Sequence, residues 1–141
     1  MDIGTANRVE RNTSQAVNER IRLAMRRRVS RYAAAPEADL RRRLSELDEE
    51  WDIERALEAN ASIAVMTSLA LGRLVDRRLY AVAGAVAGFL FKHAVSGWCP
   101  PLPVLRRLGF RTVREIEEER RLLETALRSR AEAEKEARSE P

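Results

Sequence analysis

The chain is poor in the residues that most reactions and most metal sites need. One cysteine excludes an internal disulfide framework and a cysteine-based structural zinc site. One histidine leaves no pair for a transition metal. Six glycines, with no phosphate-loop spacing among them, argue against a nucleotide enzyme. Aromatics are only 5% of the 141 residues, and the composition is weighted instead toward helix formers, away from a β-sandwich or barrel. No cofactor and no metal is expected, and no catalytic group is assigned.

What is present favours helix. Ala, Glu, Leu and Arg are the commonest residues, and all are good helix formers. Charged residues make up 34%, yet the net charge is only +4. That charge is laid out in blocks. Residues 1–35 hold eight Arg and three acids; residues 36–60 hold four Arg and nine acids. Between Ala59 and Leu105 only Arg73, Asp76, Arg77, Arg78 and Lys92 are charged. An apolar insert therefore lies between two charged arms. Met1–Asn12 has no apolar stretch, so no secretory signal is expected, and Asp2, Glu10 and Glu19 argue against a mitochondrial presequence.

The expected fold is all-α, a two-helix apolar hairpin, transmembrane or membrane-inserted, flanked by long charged amphipathic helices. Residues 1–35 read as a basic arm whose helix spans 13–34, with Val17, Ile21, Met25, Val29 and Tyr32 on one stripe. Pro36 interrupts it. Residues 36–58 read as an acidic helix, with a coiled-coil-like seam of Leu40, Leu44, Leu47 and Trp51, free to run straight into the insert. Residues 59–99 form the hairpin, turning at Val75–Arg78. Residues 100–111 are a proline-rich turn and a short helix closed by Gly109. Residues 112–141 are a charged helix opened by a Thr112–Glu115 capping box, with Ala131–Pro141 expected to fray.

Length alone leaves the hairpin open. The strictly uncharged runs, Ala59–Gly72 and Leu79–Phe91, are shorter than the roughly 20 residues that cross a bilayer. The placement of polar groups points to lipid. Folding about Arg77 brings Glu58 and Asn60 level with Lys92–Ser96 and gathers Arg73, Arg77 and Arg78 at the other end, where long side chains reach water. Glu58 and Lys92 form a candidate ion pair. Gly84 and Gly88 form a GxxxG, a candidate self-association face. The flanks carry more Arg than the turn, which places both termini in the cytoplasm.

Residues 50–115 resemble a known bacterial family, typified by the YgaP-like inner-membrane domain. The resemblance rests on Trp51–Ala61 before the first apolar run and on Ser96–Thr112 after the second, above all Gly97-Trp98-Cys99-Pro100 and Leu105-Arg106-Arg107-Leu108-Gly109. It implies a two-helix membrane hairpin, a bacterial inner-membrane location and self-association. Some members carry a rhodanese sulfurtransferase domain; residues 1–50 here are charged helix instead.

Two functional classes follow. The favoured one is a non-enzymatic membrane scaffold or assembly protein, a homo-oligomer in contact with the bilayer, whose charged arms could meet a protein partner. The basic face Arg20, Arg26, Arg27, Arg28 and Arg31 could meet anionic lipid; it lacks the interleaved aromatics of a sequence-specific nucleic-acid reader. The second class is a sulfur-relay or redox component using Cys99. A soluble helical homo-oligomer with the hairpin as its core is the third possibility.

Overall fold

A computed structural model describes residues 7–139, and every regular element among them is helical. The helices are α1 (Arg8–Arg11), α2 (Gln15–Ala34), α3 (Glu37–Glu49), α4 (Ile53–Leu74), α5 (Leu79–Ser96), α6 (Leu102–Leu108) and α7 (Val113–Ser139). They divide into two compact units. One holds the chain up to Asn18 together with Trp51–Thr112; the other holds Glu19–Glu50 and the chain from Val113 onward. Met1–Ala6 of the basic arm and Glu140–Pro141 lie outside the described residues.

The first unit is built on α4 and α5, which lie antiparallel with Ala61 and Ala64 near Val86 and Leu90 at one end and Gly72 beside Tyr80 at the other. The contact at the turn end is close. A Cβ on Gly72 would sit 2.9 Å from the Tyr80 ring. Below the hairpin, Val9, Ile53, Leu57, Cys99 and Leu102 make a small buried core, with Leu105 and Phe110 against it. Gly97, in the left-handed conformation at φ 74°, ends α5, and Gly109 at φ 99° ends α6. The buried Arg106 guanidinium fastens α6 by donating to the Phe110 carbonyl at 3.0 Å and to Asn18 Oδ1 at 2.8 Å.

Two expectations about this unit change. The acidic helix does not continue into the insert. It stops at Glu49, Glu50 is extended, and a new helix opens at Ile53. Asp52 makes the break by accepting from the Glu54 and Arg55 amides at 2.8 and 3.0 Å, an N-cap that competes with continuous helix. Trp51 is consequently off the seam. It is 48% exposed, with the Arg55 guanidinium 4.5 Å over its ring. In addition, only Leu79–Ser96 is long and apolar enough to cross a membrane among the described helices. Polar groups at both ends of α4, Glu54, Arg55, Glu58 and Asn60 in its first turns and Arg73 in its last, take it below that standard.

The second unit joins α2, α3 and α7. Leu40, Leu47, Ile116 and Leu123 form its buried core, with Val29, Tyr32, Leu44 and Leu127 packed around them. Pro36 separates α2 from α3, with its ψ of 149° out of the helical region. Arg130 of α7 donates to the Ala33 and Ala35 carbonyls, which the end of α2 leaves without helical partners. α7 is helical to Ser139, in keeping with its Ala, Glu, Lys and Arg content; the last two residues of the stretch expected to fray lie outside the described residues.

Candidate functional site

The feature with the most functional content is the hairpin of the first unit and the cavity beside it. The exterior of α4 and α5 is mostly hydrocarbon. Ile63, Met66, Leu74, Phe91 and Val95 are all more than 60% exposed. Only 11% of the Leu79–Ser96 segment is buried within the chain. A monomer in water would expose this surface at a cost of about 25 cal/mol for each Å².

Between α4, α5 and the proline turn lies a cavity of about 560 Å³. Leu57 and Cys99 are its buried floor, Ala64 and Leu90 are on its walls, and the half-exposed Phe89 and Val104 stand at its mouth. Its one amide is Asn60, whose Nδ2 donates to the Ala56 carbonyl at 2.7 Å. This lining is almost wholly apolar and offers no acid–base pair.

Gly84 and Gly88 are exposed, and a Cβ on either would meet nothing within 4 Å. They do not make the α4–α5 contact. Ser68, Gly72 and Ala83 are buried there instead, so the GxxxG faces away from the rest of the chain.

Glu58 and Lys92 are not paired. Lys92 Nζ lies 4.5 Å over the Trp98 ring, while the ion pair at this end of the hairpin joins Arg8 to Glu54 at 2.8 Å. Arg8 also donates to the Ala94 carbonyl, and Asn12 donates to the Ser96 carbonyl at 2.8 Å. The short helix α1 thus covers the end of α5. His93 is buried beside this contact, and neither ring nitrogen has a hydrogen-bond partner.

Cys99 is 4% exposed and belongs to the core. Burial pushes its thiol pKa up, opposed only in part by the Leu102 backbone amide. A nucleophilic thiolate requires the reverse: access and a neighbouring cation.

The basic face of α2 is also redistributed. Arg28 points inward and binds Glu119 of α7 through Nε and Nη2, at 3.1 and 3.0 Å to Oε2. Arg43 of α3 binds the same carboxylate at 3.0 Å and also reaches Glu46 and Glu50. Hydrogen bonds and Coulomb attraction from these carboxylates outweigh the desolvation that is the largest single influence on Arg43, so its pKa rises. Arg26, Arg27 and Arg31 remain exposed.

Comparison with family models, curated proteins and solved structures finds no match to this chain.

Proposed function

We propose that the protein is a membrane-anchored, non-enzymatic scaffold that self-associates through the outer face of its hairpin. The observation that carries this reading is α5, a helix about 27 Å long at 1.5 Å per residue, apolar for most of its length up to Phe91 and almost uncovered by its own chain. Hydrocarbon is the solvent that suits such a surface. The α4 helix lies along it, and Arg73, Arg77 and Arg78 at the turn are exposed and free to reach an aqueous edge. In this reading α4 accompanies α5 into the bilayer, which would leave both termini on one side, and the excess of arginine in the flanks favours the cytoplasmic side. The likeness of residues 50–115 to the YgaP-like inner-membrane domain agrees with it.

The burial of Cys99 weighs against a sulfur-relay role. No polar side chain but Asn60 shares its cavity.

Membrane fractionation tests the anchor. The protein should stay with the bilayer in alkaline carbonate; release as a monodisperse soluble species would instead make the hairpin the core of a soluble oligomer. Self-association is tested separately. Replacing both Gly84 and Gly88 by Leu should lower oligomer size in detergent without unfolding the chain, because each new side chain enters open space. An unchanged oligomer removes the GxxxG contact.

A further inference from the structure

The outward face of α2 has an order that its composition does not reveal. Leu23, Ser30 and Ala34 follow one another at spacings of seven and four, which keeps them on one line, and Leu23 is 44% exposed. Arg27 and Arg31, four apart, flank that line on one side; Arg22 and Arg26, also four apart, flank it on the other. All four are exposed. Glu19, the one acid on this face, is already bound to Arg22 at 3.5 Å.

Some exposed arginines elsewhere in the second unit are neutralised locally, although Arg121 reaches only the Glu117 backbone carbonyl. Arg41 binds Glu37 at 2.6 Å, Arg42 binds Asp39 at 2.9 Å, and Arg128 reaches Glu124 at 4.0 Å. Arg26, Arg27 and Arg31 are different: among the described residues they have no carboxylate partner. The face therefore sets the exposed Leu23 between two arginine edges, one of Arg27 and Arg31 without carboxylate partners among the described residues and one in which Arg22 is paired with Glu19 and Arg26 is not.

We propose that this face of α2 lies on an anionic lipid surface. Leu23 enters the headgroup region, and Arg26, Arg27 and Arg31 extend sideways and upward to lipid phosphates, aliphatic stems down and guanidinium groups out. Charge complementarity selects an anionic surface over a neutral one. The apolar centre, and the lack of any aromatic among these residues to stack on bases, selects lipid over nucleic acid. The inference deepens the membrane reading by adding an electrostatic contact to the hydrophobic anchor, and it rests on that reading for the nature of the surface.

Full-length protein, kept in aqueous solution by a neutral amphipol, is partitioned between that carrier and vesicles of phosphatidylcholine alone, or of phosphatidylcholine with 30% phosphatidylglycerol, from low to high salt. Anionic lipid should raise partitioning by about 100-fold at low salt for three arginines near the surface, and salt should erase the gain. The triple variant R26Q/R27Q/R31Q should lose that gain while still binding neutral vesicles as the parent does. Leu23→Asn should weaken binding several-fold on anionic vesicles. The triple variant R41Q/R42Q/R128Q removes the same charge from locally paired arginines and should keep most of the gain.

Equal binding to both vesicle types, or equal loss in the two triple variants, overturns the proposal. So does tighter, R26Q/R27Q/R31Q-sensitive binding to single-stranded DNA than to anionic vesicles. Failure of the hairpin reading looks different: neutral vesicles would bind nothing, while the salt-sensitive anionic gain persisted.

Discussion

Replacing Glu119 by alanine should destabilise the second unit by about 2–3 kcal/mol. The Glu119 side chain has no exposed surface, and it is the carboxylate on which Arg28 and Arg43 converge. Breaking a buried pair generally costs about 3–5 kcal/mol, because a desolvated charge is left behind. Two features place this case lower. Arg43 keeps Glu46 at 3.1 Å and Glu50 at 3.4 Å. Arg28 has 31% of its side chain in contact with water and can re-solvate. Hydrogen exchange of α3 and α7 amides in the full-length protein, measured in detergent, reads the loss within that unit. Glu119→Gln should cost roughly half as much, since the shape and some hydrogen bonds survive. Arg41→Gln, which breaks an exposed pair, should change stability by less than about 0.5 kcal/mol. A Glu119→Ala protein with unchanged protection in α3 and α7 would refute the claim that this carboxylate holds the helices together.

Gly97→Ala should cost about 2 kcal/mol or more, since φ is 74° and the added Cβ would lie 2.7 Å from the Arg8 backbone carbonyl carbon; Trp98 fluorescence during urea unfolding checks this, and a parent-like midpoint would contradict it. Cys99 should react slowly with iodoacetamide in the folded protein at pH 8. Its thiol is the form the fold favours, so the associated stability is present below the ordinary thiol pKa and is lost as pH rises through the elevated folded value. Alkylation at the rate of a free thiol would contradict the burial. Asp52→Ala should weaken α4 by about 1 kcal/mol through loss of its N-cap, read as faster exchange of the Glu54 and Arg55 amides.

Helix content and most boundaries were legible from periodicity and punctuation. Pro36, Gly97 and Gly109 mark helix ends where backbone chemistry requires them. The break at Glu50 was hidden by its surroundings. Asp48 to Glu54 reads as one acidic run, and a single cap inside such a run is masked by neighbours of the same charge. The α1 helix was not legible at all. Four residues carry no periodicity, and Arg8 acquires its place from Glu54 and Ala94, far along the chain. That contact also explains why Glu58 and Lys92 do not pair: the hairpin register brought them level, but the ion pair here uses Arg8 and Glu54, and Lys92 rests on Trp98.

Glu119 and Arg28 did leave a signal. Glu119 stands three residues after Ile116 and four before Leu123, and both of those are core. Arg28 stands three after the buried Met25 and four before Tyr32, on the inward stripe of α2. Arg43 adjoins Leu44 and lies between Leu40 and Leu47 on α3. Each helix thus places one charged residue on or beside its apolar seam, and the three meet in one layer. Apolar side chains there would tolerate a sliding register, as hydrocarbon contacts are non-directional. Two guanidinium groups on one carboxylate do not, because a one-turn slip would strand the fully buried Glu119 carboxylate. The first unit has no such layer along α5. Its exterior is mostly apolar, with α4 along one side and α1 over its end, and among the described residues no buried charge fixes its register. The same chain therefore combines internal charge pairing in one unit with a largely uncovered apolar helix in the other.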